Sequence, residues 1–157
     1  MRKSLLVALA VCVVALFSGS VALAADNWLG TWKLNVEKSK ASPGPAPKSL
    51  TLKFEATKDG TRFTSDGVSA DGKPMHGTYT SKFDGKDVPW EGNPEADTAA
   101  PKKIDDSSYE NVWKKGGKVT ITAKAVVSKD GKTLTISQTG KNVKGEAVNA
   151  NVVFEKQ

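Results

Sequence analysis

A chain of 157 residues with 23 Lys and Arg against 17 Asp and Glu carries a formal charge of +6, with a single cysteine and a single histidine. That length bounds it to about one domain, and those counts exclude a disulfide scaffold and a Cys/His zinc module. The basic balance does not point to nucleic acid either, because lysines and acids are interspersed and Arg62 is the only arginine after Arg2, whereas nucleic-acid faces draw on clustered arginine.

The chain opens on an export pattern. Arg2 and Lys3 precede the apolar run Leu5 to Phe17, Ser18-Gly19-Ser20 breaks it, and Ala22-Leu23-Ala24 supplies small residues for a signal peptidase. Residues 1–24 are therefore expected to be a signal peptide cleaved before Ala25. An uncleaved membrane anchor is the alternative for a charge-free stretch of this length. The expected mature domain, 25–157, lies in the periplasm or the medium, does not span a membrane and holds no cysteine.

From Trp28 onward short segments alternate apolar and polar residues, the period of a strand with one buried face. Trp28, Gly30, Trp32, Leu34 and Val36 alternate with Thr31, Lys33 and Asn35. Leu50, Leu52 and Phe54 follow, then Phe63 and Ser65 within Thr61 to Val68, then Met75, Gly77, Tyr79, Ser81 and Phe83. A short Val88 to Trp90 piece precedes a loop, and Ile104 to Trp113 reads as one more polar strand. Val119, Ile121, Ala123, Ala125 and Val127 alternate next, then Leu134, Ile136 and Gln138, and finally Val148, Ala150, Val152 and Phe154. Asp59-Gly60, Asp71-Gly72, Asp84-Gly85 and Asp130-Gly131 punctuate them as hairpin turns, and Asp66-Gly67 is a turn or a bulge. Two connections are longer: Glu37 to Lys48, rich in proline, and Glu91 to Lys103, a corner crossing or a lid.

The expected fold is all-β, a single antiparallel up-and-down barrel of about eight strands; a two-sheet sandwich is the alternative. Its inward set comprises Trp32, Leu34, Leu50, Leu52, Phe54, Phe63, Met75, Tyr79, Val119, Ile121, Leu134, Ile136, Val152 and Phe154, with small Gly77, Ala123, Ala125 and Ala150 on the same face. Those small residues either leave a void or accommodate the aromatics. His76 falls on the polar face, Asp105-Asp106 and Asp84 with Asp87 read as solvated acids, and no phosphate loop or nucleophile motif is present. No catalytic residue, metal site or cofactor is expected.

Gly30-Thr31-Trp32 on a first strand resembles the Gly-x-Trp signature of lipocalins and fatty-acid-binding proteins, and the chain resembles small exported lipocalin-like (calycin-type) barrel proteins of bacteria. The resemblance implies that Gly30 and Trp32 form a structural motif in which the indole plugs one end of the barrel. It also implies an arginine over the tryptophan near the end of the last strand. None stands there, and Lys156 is the candidate to substitute through its stem and ammonium. The Arg-x-Tyr by which fatty-acid-binding proteins hold a carboxylate is missing from Asn151-Val152-Val153-Phe154. Arg62 would serve only if its strand were flipped, which would expose Phe63.

The functional expectation is non-catalytic binding of a small, mostly uncharged hydrophobic molecule inside the barrel. The candidate lining is Leu52, Phe54, Phe63, Met75, Tyr79, Ile121, Ala123, Ile136, Gln138 and Val152, with Ser65, Tyr79 and Gln138 able to orient a ligand by hydrogen bonds. The alternative is a filled barrel acting as an envelope interaction or structural module. A monomer with no nucleic-acid partner is expected in either case.

Overall fold

The computed structural model describes residues 25–157, so the signal-peptide expectation for residues 1–24 lies outside the described residues. Ten strands follow one another: β1 Gly30–Lys40, β2 Ser49–Thr57, β3 Gly60–Val68, β4 Pro74–Ser81, β5 Val88–Pro89, β6 Thr98–Asp105, β7 Ser108–Lys115, β8 Lys118–Val127, β9 Thr133–Lys141 and β10 Ala147–Lys156. They form one sheet in the order β4-β3-β2-β1-β10-β9-β8-β7-β6-β5. Every ladder is antiparallel, and the first strand pairs with the last, Leu34 standing opposite Phe154. The result is an up-and-down, nearly closed barrel.

Strand count is where the sequence expectation falls short, ten against about eight. Asp106 and Ser107 form a tight turn that splits the expected polar strand, so Lys103 pairs back on Tyr109 and Ala99 on Trp113. β6 takes up the second part of what read as the loop Glu91 to Lys103, from Thr98 onward. Ala99, Ala100 and Pro101, expected within that loop, are all buried. Proline is tolerated there because its backbone points to the weakly paired side, where its carbonyl accepts the Gly85 N–H at 2.9 Å.

The remaining seam runs between β4 and β5. Thr78 and Glu91 exchange two backbone hydrogen bonds of 3.0 Å across it. Continuing that antiparallel register sets Thr80 opposite Pro89, which has no N–H to donate, so the ladder stops after one bridge. On the outer side, a groove of about 470 Å³ is lined by Arg62, Thr64, His76, Thr78, Thr80 and Glu91. A second of about 340 Å³ runs on past Asp59, Ser81, Asp84, Asp87 and Val88.

Two local expectations are corrected. Asp66-Gly67 is no bulge, because the ladders to β2 and β4 run through Gly67 without a shift. Val119 is not inward. The register slips between Trp113↔Ile121 and Lys114↔Val119, leaving one extra residue on β8. Beyond that bulge Val119 is 60% exposed.

One end of the barrel is plugged. Trp28, Trp32, Leu134 and Phe154 there are at most 1% exposed. Trp32 Nε1 donates to the Trp28 carbonyl at 2.7 Å, and the Trp28 ring packs on Phe83 and Tyr109 with centroids 5.6 and 5.4 Å away. Gly30 has φ +118°, and the Cβ it lacks would lie 3.2 Å from Lys156 Cε. That position therefore needs glycine both for the backbone turn and for the lysine stem crossing it. Lys156 Nζ sits 5.0 Å from the centre of the Trp32 ring, taking the place the resemblance gives to an arginine. Phe83 adopts φ 55°, a left-handed turn just past β4 that swings its ring into the plug.

Candidate functional site

The barrel interior sorts into two walls. On one side Phe54, Phe63 and Tyr79 form a cross-strand row on β2, β3 and β4, with Phe54–Phe63 centroids 5.0 Å apart and Phe63–Tyr79 stacked at 4.7 Å. Trp90 stands edge-on to Phe63 and Tyr79 at 5.9 and 5.3 Å, and Trp113 edge-on to Trp90 at 4.9 Å. On the other side, the rows Ala123–Gln138–Ala150 and Ala125–Ile136–Val152 run across β8, β9 and β10. Pleating explains both walls, since residues two apart on a strand share a face.

Of the ten residues nominated as lining, Leu52, Phe54, Phe63, Tyr79, Ile121, Ala123, Ile136 and Val152 are buried. Met75 and Gln138 are half-buried. The two lie toward the end away from Trp28, where inward-facing Leu50, Ser65, Trp113 and Val148 are half-buried as well. The barrel is thus tight at the plug and looser at the opposite mouth. The segment 91–97 closes part of that mouth. Ala96 is buried in the core, Glu95 Oε2 accepts the Val143 N–H at 2.9 Å, and the Glu95 carbonyl accepts the Thr120 hydroxyl at 3.1 Å.

Sequence reading missed Trp90, Tyr109, Asn111 and Trp113 as interior residues. The signal was there: Tyr109, Asn111 and Trp113 alternate with Glu110, Val112 and Lys114. Asn111, 5% exposed, is one of three buried polar residues, with Ser81 and Ser108, and no charged residue is buried among the described residues. Burial pushes the Tyr79 hydroxyl well above the usual phenol range, and that of Tyr109 upward as well, so both stay neutral donors at any physiological pH. The interior therefore presents hydrogen-bonding groups without formal charge.

The charged groups lie outside. Arg62 points outward beside inward Phe63, so it cannot serve an interior carboxylate. His76 Nδ1 meets Asp66 Oδ1 at 2.6 Å on the exposed face. Lys103 bridges Asp26 and Asp106 at 2.5 and 2.6 Å, and Lys114 holds Asp87 at 2.7 Å. Among the described residues no group of three or more His, Cys, Asp or Glu converges on a point that could hold a metal ion.

No family model matches the chain, and no curated protein matches it. Among solved structures it is similar to the zebrafish ileal bile acid-binding protein, determined in complex with cholic acid. The two share 9% identity with a TM-score of 0.45, over 83% of this chain and 98% of the other. At that identity no site residue passes from one chain to the other.

Proposed function

We propose that the protein binds, without catalysis, a small and mostly uncharged apolar molecule in the mouth half of its barrel. The observation that supports this best is the uneven filling of the interior. Inward-facing Leu50, Ser65, Met75, Trp113, Gln138 and Val148 are only half-buried, whereas the inward residues nearer the plug are packed out of solvent. An apolar molecule covering these half-buried side chains and the aromatic rings behind them would gain roughly 25 cal/mol for each Å² of ligand and wall removed from water. With no buried charge in the wall, a neutral ligand is favoured over an ionised one. Export to the periplasm or medium, on the pattern of residues 1–24, and a monomeric state belong to the same reading.

The test is native mass spectrometry of the protein purified from its own compartment, with solvent extraction of what co-purifies. A stoichiometric apolar compound, released by extraction and able on re-addition to quench tryptophan fluorescence, is the expected result. No co-purifying compound, and no quenching by a panel of neutral apolar ligands, would overturn the carrier and leave a filled barrel serving as an envelope interaction or structural module.

A further inference from the structure

Among the described residues four buried side-chain polar atoms have no hydrogen-bond partner: Nε1 of Trp28, Trp90 and Trp113, and Oδ1 of Asn111. The first lies in the plug. The other three belong to one contiguous cluster on the mouth side of the interior. The Trp90 and Trp113 rings are 4.9 Å apart, and the Trp90 and Tyr79 rings 5.3 Å apart. Asn111 Nδ2 reaches the Tyr79 hydroxyl at 3.4 Å, and Asn111 and Trp113, two apart on β7, share its inner face. Trp90 Nε1 packs directly over Gly77, where a Cβ would stand 2.9 Å from it and 3.0 Å from Ser65 Oγ, so the bare glycine is what lets this donor sit against the β4 backbone. Buried polar atoms in native proteins are nearly always paired. Two unpaired donors and one unpaired acceptor in a single cluster need an explanation.

We infer that this cluster receives the polar head of the bound molecule, and that the head is an uncharged amide or a group of the same pattern. The inference rests on the carrier reading above. An amide oxygen has two lone pairs for the Trp90 and Trp113 N–H groups, and an amide N–H can donate to Asn111 Oδ1. A carboxylate fits poorly. No buried cation offsets its desolvation, and Asn111 Oδ1 would face a second acceptor. A pure hydrocarbon would leave all three atoms unpaired, and an ester would satisfy the indoles but not Asn111.

The experiment displaces Nile red from solvent-stripped protein with four probes: dodecanamide, methyl dodecanoate, dodecanoate and 1-phenylhexane. Native mass spectrometry checks the stoichiometry, and circular dichroism checks that each variant is folded. The amide is expected to bind at least about fivefold more tightly than the ester, with dodecanoate weaker than both. Asn111→Leu should erase the preference for amide over ester and leave the ester within about twofold. Trp90→Phe and Trp113→Phe should each weaken amide and ester about five- to tenfold and leave 1-phenylhexane nearly unchanged. If all four probes bind alike, or the amide preference survives Asn111→Leu, or neither Trp90→Phe nor Trp113→Phe weakens amide and ester, the inference is overturned while the carrier stands. If none binds, the carrier reading itself falls.

Discussion

Trp32→Phe tests how the Gly-x-Trp strand anchors the plugged end. The indole is fully buried, its N–H donates to the Trp28 carbonyl at 2.7 Å, and Lys156 Nζ lies 5.0 Å from the ring centre. Phenylalanine keeps an aromatic ring but removes the donor, leaving a buried carbonyl unpaired at a cost of about 1–3 kcal/mol. It also vacates roughly 40 Å³, which at about 24 cal/mol per Å³ adds about 1 kcal/mol. Together that is about 2–4 kcal/mol. For a domain of this size each kcal/mol moves the melting temperature by about 4 °C, so the variant should melt about 8–16 °C lower. Lys156→Met keeps most of the stem and removes only the ammonium, and should cost about 0.5–1 kcal/mol, less at high salt. Thermal melts followed by near-ultraviolet circular dichroism measure both. A Trp32→Phe protein melting within 3 °C of the parent would show that neither the hydrogen bond nor the fit of the indole secures the plug.

Two further outcomes are expected. Pro89→Val supplies the N–H missing opposite Thr80, so the β4–β5 ladder should extend by one pair, raise urea stability by about 0.5–1.5 kcal/mol and slow hydrogen exchange at the Thr80 amide; unchanged exchange there would refute this account of the seam. In the β3–β4 turn, Lys73 and then Ser69 hold the Asp71 carboxyl down to about 2, below its unfolded value, so its stabilisation is present above about pH 4 and lost as pH falls through about 2. Asp71→Asn should therefore lower stability at pH 6 and clearly less at pH 2, with an NMR titration of Asp71 in the parent giving the midpoint; an ordinary carboxylate midpoint would contradict the pairing.

Much of the barrel was legible because alternation is a local property. The inner faces of β2, β3, β9 and β10 follow from the two-residue period of Leu50 to Phe54, Phe63 to Ser65, Leu134 to Gln138 and Val148 to Phe154, and the ladders bear that out. Val119 escaped because a bulge is a backbone event with no fixed residue signature, and one extra residue moved it across the sheet surface. β6 escaped because Ala99, Ala100 and Pro101 have low strand propensity, and only burial against β7 makes the segment a strand. Asn111 was passed over for its polarity in a segment flanked by lysines and acids. What no local pattern could reveal is that Trp90, Trp113 and Asn111 meet, since β5 and β7 come together only through the strand lying between them.

The two ends of the sequence and the open seam divide the work of the fold. Closing a meander requires one non-local pairing, and here it is β1 with β10, the strands that also carry Gly30, Trp32, Phe154 and Lys156. The residues that close the barrel are thus the residues that plug it, and stability concentrates at that end. The seam falls on the opposite side of the ring of strands, where Pro89 limits β4 and β5 to the Thr78–Glu91 bridge. Trp90 occupies the position just inside that bridge, next to Gly77 and facing Trp113. Two backbone hydrogen bonds join Thr78 of β4 to Glu91, and two more tie Phe83 and Gly85, just past β4, to Lys103 and Pro101 of β6. Local opening at the seam still breaks less than opening any full ladder would. A ligand seated against Trp90 and Trp113 would sit beside the part of the wall that opens most readily, and the plugged end would be undisturbed by its coming and going.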